Sequence, residues 1–208
     1  MMLSWLSLET LAVLCAIAYL FLAIRENIYC WYFALVSTVL YAWIFRGVNL
    51  YMESALNIYY VMMALYGWFC WKTPKTKIKR LKIKSWELSR NIKVVSMICL
   101  MSIISGVMLD LNTSARLPYL DSLTTWGSVI TTFMVARKVL ENWLYWIVIN
   151  SLSIFLYIDR ELYQTATLFM IYIVMSVAGY IHWRAIYQRE NKQYPSADVE
   201  SVANLESQ

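Results

Sequence analysis

Two polar stripes on otherwise apolar segments carry residue types able to bind a ligand. One reads Trp143-x-x-Trp146-x-x-x-Asn150. On an α-helix, positions i, i+3 and i+7 fall within about 60° of one another, so two indoles and a carboxamide share a face. The other stripe is Glu53, Asn57 and Tyr60, at i, i+4 and i+7. In an apolar interior an unpaired amide costs on the order of 1–3 kcal/mol, and a carboxylate needs a cation or a water-filled cavity. Aromatic faces, amide hydrogen bonds and one negative charge together suit a flat, polar, preferably cationic heteroaromatic ligand.

The same residues also fit structural roles. Trp143, Trp71 and Trp183 lie near segment ends, where indoles anchor helices at a membrane interface. Trp146 is matched in the first half of the chain by Trp31, which is consistent with core packing. Asn57 and Asn150 are able to pair between helices, and Glu53 to reach outer headgroups with Arg46 as partner. Glu26-Asn27 and Glu141-Asn142 read as helix starts, with acids at positive helix ends. Gly67 and Gly179 read as points of close helix approach. His182 has no acidic relay beside it and is not assigned proton transfer.

The elements that must hold these groups are membrane spans. Of the 208 residues, 61% are hydrophobic and only five are glycine, with a mean hydropathy of +0.52. Apolar runs occupy about 8–24, 28–45, 50–71, 92–109, 120–136, 142–158 and 163–183. Each is close to the ~17–25 residues a spanning helix requires, which predicts seven transmembrane helices. The first run reads as a retained helix rather than a cleaved leader.

The chain also repeats itself. Ser7, Leu8, Thr10, Glu26, Asn27 and Trp31 recur 115 residues later, and Leu50, Tyr51, Leu56, Tyr60, Met63, Gly67 and Trp71 recur 112 residues later. This predicts a three-helix unit over 7–72, a basic loop, linker helix and outer loop over 73–119, and a second three-helix unit over 120–184. A disordered cytoplasmic tail is expected over 185–208. With one extra span between them the units run parallel, a 3+1+3 arrangement resembling the SWEET sugar transporters.

Charge sets the expected topology. Fifteen basic residues, including Arg25, Arg137, Lys138, Arg184 and the run from Lys72 to Lys93, fall on one side, against Arg46, Arg116 and Arg160 on the other. Basic residues stay in the cytoplasm, so the N-terminus is expected outside and the C-terminus inside. The net charge of +5 is then a topology signal and an attraction to anionic lipid, with no nucleic-acid partner expected. Cys15, Cys30, Cys70 and Cys99 lack metal or disulfide spacing, and neither a Walker A sequence nor H-E-x-x-H occurs. No metal, cofactor or catalytic residue is therefore expected, and scarce ionisable groups in the helices argue against an intramembrane enzyme. A receptor or scaffold acting through the basic loop is a rival reading.

The run Glu141-Asn142-Trp143-Leu144-Tyr145-Trp146-x-x-x-Asn150, with Leu162-Tyr163 and Gly179-Tyr180-x-x-Trp183, resembles the PnuC family of bacterial vitamin transporters. Leu50-Tyr51 and Tyr66-Gly67-Trp68 with Trp71 carry the same likeness, which extends from about Ser7 to Arg184. The resemblance implies a homotrimer in the inner membrane. It implies facilitated diffusion of an unphosphorylated vitamin, trapped afterwards by a cytoplasmic kinase. Trp143, Trp146 and Asn150 carry over as substrate-site residues. The intact motif favours nicotinamide riboside, with thiamine, carried by the PnuT relatives, as the alternative. Two departures stand out: no long N-terminal extension, and Glu53 in place of a neutral residue. Glu53 would also be the proton carrier in a proton-coupled variant of the mechanism.

Overall fold

Seven apolar runs become seven helices. The computed structural model describes residues 2–47, 51–72, 81–112, 117–159 and 163–193. Its helices are α1 (Met2–Ile24), α2 (Cys30–Gly47), α3 (Tyr51–Trp71), α4 (Leu88–Asn112), α5 (Pro118–Ala136), α6 (Asn142–Asp159) and α7 (Tyr163–Gln193). Their bounds follow the hydropathy runs because a segment that shares its surroundings with lipid must satisfy its backbone internally, and a helix does so. One boundary differs. Helix α7 continues through Gln193, past the tail expected from residue 185. Arg189 and Lys192 lie in that extension, where exposed charge continues a helix whose apolar part has ended. Residues 194–208 lie outside the described residues.

Neighbouring helices close a ring: α1 on α2, α2 on α3, α3 on α5, α5 on α6, α6 on α7, and α7 back on α1. Helix α4 packs on α5, outside that ring. Gly106 of α4 receives the ring of Tyr119, and Trp126 Nε1 donates to Ser105 Oγ at 3.0 Å. The remaining faces of α4 expose Leu100, Ile103, Ile104, Val107, Met108 and Leu111. Such continuous apolar exposure is far beyond what a water-facing surface carries, and it fits a bilayer.

The turns α1–α2 and α5–α6 are built alike. Glu26 N–H donates to Ala23 O and Asn27 N–H to Leu22 O; Lys138 N–H donates to Val135 O and Val139 N–H to Met134 O, all at 2.9–3.0 Å. This is the Schellman closure of a helix, whose C′ residue adopts a left-handed conformation and is usually glycine. Here that residue is Glu26, with φ 54°, or Lys138, with φ 51°. A side chain in that region costs roughly 1–2 kcal/mol. Glycine would remove the cost, so the side chains themselves must be needed.

Equivalent positions of the two halves are thus 112 residues apart across this turn, as Glu26 and Lys138 are. The register of 115 expected for the first two helices is not the structural one. Trp31 corresponds to Trp143: each indole fills the notch left by a glycine, Gly67 for Trp31 and Gly179 for Trp143. The loop geometry decides this, because a shift of three residues would put Asn27 or Glu141 into the wrong place in the closure. The glycines do allow close approach, by an indole rather than a helix backbone. A Cβ at Gly179 would sit 2.6 Å from Trp143 ring carbons. Gly179→Val is expected to cost about 1–3 kcal/mol through overpacking, read as a lower melting temperature of purified protein.

Candidate functional site

Four indoles close one end of the ring. Trp31 meets Trp71 edge-on at 5.3 Å, Trp71 lies 6.1 Å from Trp183, and Trp183 meets Trp143 edge-on at 5.3 Å. Trp71, Trp183 and Trp143 are 6%, 0% and 1% exposed, so they are not the interfacial belt residues the sequence suggested. The notch at Gly179 draws Trp143 inward. Two of them join the halves: Trp71 Nε1 donates to Ala136 O at 3.1 Å, and Trp183 Nε1 donates to Ala23 O and Ile24 O at 3.2 and 3.1 Å. Positions 24 and 136 are equivalent, so the bonds are reciprocal.

An ion pair sits beside them. Lys138 Nζ donates to Glu26 Oε2 at 2.5 Å, with side chains only 4% and 10% exposed, and Nζ also lies 4.7 Å from the centre of the Trp71 ring. The pair ties the α1–α2 turn to the α5–α6 turn. Sequence reasoning took Lys138 for one more topology charge and Glu26 for a helix start. The available signal was a charged residue at the C′ position of both turns, where glycine is usual.

The second turn has an additional brace. Residues 81–87 run alongside it: Lys84 N–H donates to Lys138 O at 3.0 Å, and Leu140 N–H donates to Lys84 O at 2.9 Å. Ser85 Oγ and Trp86 N–H both donate to the Glu141 carboxylate, at 2.5 and 3.1 Å, and Ile83 enters the core. Backbone pairing and the Glu141 carboxylate hold this strap, while partial burial, then the neighbouring Arg137 and Arg90, lower the Lys84 pKa. Glu141→Ala removes two of its bonds. Trypsin cleavage after Lys82 and Lys84 should then rise about tenfold, equivalent to losing about 1.4 kcal/mol of local stability.

Above the indole plug the interior, among the described residues, is lined by tyrosines and amides. Tyr60 of α3 has Tyr19 of α1, Ser128 of α5 and Tyr157 of α6 as neighbours, so it points into the ring. Tyr172 of α7 neighbours Tyr41 of α2 and the same Tyr157. Asn57 is buried and has an interaction partner. Asn150 is buried, at 4% exposed. Trp146 is partly buried against the core. Trp143 lies deeper, in the plug, so the three residues of the helix-6 motif occupy two levels. The side chain of Glu53 and the expected Glu53–Arg46 pairing lie outside the described residues.

With the register corrected, the halves differ where it matters. The counterparts of Trp146 and Asn150 are Ala34 and Thr38, whereas Trp143 is matched by Trp31. Thr38 Oγ1 is occupied by its own helix, donating to Ala34 O at 2.8 Å. The buried amide and the extra indole therefore belong to α6 alone.

The family described as nicotinamide mononucleotide transporter matches this chain over residues 6–185. The chain belongs to that family. As a nicotinamide mononucleotide transporter family member it is a multi-pass transporter of the bacterial inner membrane and not an enzyme. Among its relatives, the nicotinamide riboside transporter PnuC of Escherichia coli (strain K12) is 24% identical, over 87% of this chain and 85% of the relative. The protein of the same description from Neisseria mucosa is 27% identical, over 77% of this chain and 65% of the relative. A solved structure described as the crystal structure of the vitamin B3 transporter PnuC superposes with a TM-score of 0.69 at 24% identity, covering 88% of this chain and 82% of that one. That likeness carries the all-helical fold.

Proposed function

We propose that this chain imports unphosphorylated nicotinamide riboside by facilitated diffusion with alternating access, a cytoplasmic kinase trapping the product. The observation that carries the reading is Asn150: a buried carboxamide on α6, one turn from the partly buried Trp146. A carboxamide-bearing pyridinium ring offers it paired donor and acceptor atoms and offers the indole a cationic face. Tyr60 and Asn57 face the ligand from α3, and Glu53 stands nearer the outside, at the start of that helix. Trp143 forms the floor between ligand and plug.

Charge separates riboside from mononucleotide. A phosphate of charge near −2 needs cations or several N–H donors where it binds. Among the described residues the one buried cation is Lys138, already neutralised by Glu26. That supports the unphosphorylated ligand.

Devices recurring 112 residues apart, with reciprocal bonds between the halves, support a parallel 3+1+3 repeat like that of the SWEET transporters, with α4 as connector. The basic-residue asymmetry supports an outside N-terminus, which puts the indole plug at the cytoplasmic end. A homotrimer follows from the family resemblance. Counterflow in proteoliposomes tests the substrate. Exchange of nicotinamide riboside without a proton gradient is expected. Exchange of thiamine in its place would assign the chain to the thiamine carriers, and accumulation driven by a pH gradient would replace facilitated diffusion with proton coupling through Glu53.

A further inference from the structure

We infer that Glu26 and Lys138 form the latch of a gate at the indole end, one that must part each time the transporter opens there. The inference rests on the alternating-access reading above. Three observations carry it. The pair joins the α1–α2 turn to the α5–α6 turn, so any rocking of the first three helices against the last three changes its separation. Both residues hold left-handed backbone where glycine is usual, so their side chains are retained against a conformational cost. The indole bonds beside the pair also cross between the three-helix units: Trp71 to α5 and Trp183 to α1.

The two sides of the latch are not equally held. The strap at residues 83–86 pairs with the backbone on either side of Lys138 and with Glu141. Around Glu26 the backbone bonds are local to the turn, and the contact from outside is the Trp183 indole. Lys138 is therefore the fixed half of the latch, and the α1–α2 turn carrying Glu26 is the part that swings. An ion pair suits a gate better than an apolar contact here, because both charges regain water when it opens and the closed and open states stay near balance.

Cys30 gives a native reporter. It is fully buried one turn after Glu26, next to Trp31 and near Lys138. In proteoliposomes of a parent carrying Cys15→Ala, Cys70→Ala and Cys99→Ala, its alkylation by a membrane-impermeant maleimide reports opening at this end. In the double variant Glu26→Gln, Lys138→Met, labelling from the latch side should speed by about tenfold or more as the open state gains population, while nicotinamide riboside affinity stays within about threefold. Glu26→Gly with Lys138→Gly, which suits the left-handed backbone, should do the same. Labelling unchanged to within about twofold in a variant that still binds overturns the latch. Loss of both binding and cooperative melting in both double variants makes the pair a folding element and overturns it too. A parent that exchanges neither nicotinamide riboside nor thiamine, by contrast, defeats the transport reading on which the latch rests.

Discussion

Asn150→Leu abolishes saturable uptake of nicotinamide riboside and leaves the protein at least as stable as the parent. The two halves of that expectation have one cause. The side chain is buried, so an apolar side chain with the same number of heavy atoms opens no cavity there and removes the cost of keeping an amide in an apolar interior. The ligand loses its polar anchor at the same time. A hydrogen bond to a charged or strongly polar group is worth about 1.5–3 kcal/mol, so affinity should fall by on the order of 10- to 150-fold. Thr38→Val at the equivalent position of the first half is the control. Its hydroxyl already donates to Ala34 O, so uptake should stay near the parental level. Isothermal titration and thermal melting of purified protein read both quantities; a stable Asn150→Leu protein with parental affinity removes Asn150 from the site.

Lys138→Met alone produces the largest loss of stability expected from any single change at the indole end. It leaves the Glu26 carboxylate buried and uncompensated, a change that costs about 3–5 kcal/mol. Adding Glu26→Gln should return much of that loss, because the penalty arises from the orphaned charge rather than from the absence of the pair. A double-mutant cycle on melting temperatures measures the coupling. Additive effects of the two substitutions would mean that the pair is not closed in the resting protein.

The helices were legible because hydropathy over some twenty residues is the membrane's own length filter, and each apolar run became a helix. The close approach at Gly67 and Gly179 was legible too, although an indole, not a helix, makes it. The register between the halves was misread. Glu26-Asn27 resembles Glu141-Asn142 and Trp31 resembles Trp146, yet the closure of each turn sets the offset, and it pairs Glu26 with Lys138 and Trp31 with Trp143. Identity of residue types competed there with backbone geometry, and geometry won. The buried ion pair stayed hidden for a related reason. A lysine after an arginine at a helix end satisfies the positive-inside pattern, and nothing in one half of the chain announces its partner 112 residues away. Of the residues proposed to face the ligand, the α6 stripe is a reading from spacing, and only the packing of Trp143 on Gly179 separates a plug indole from the one proposed to bind.

The most direct test is nicotinamide riboside binding and counterflow by the purified chain in proteoliposomes, with Asn150→Leu run beside it. Saturable exchange that thiamine does not inhibit, that needs no proton gradient and that disappears in the variant is the predicted result. Absence of exchange by the parent protein, or exchange undiminished in Asn150→Leu, would contradict the account.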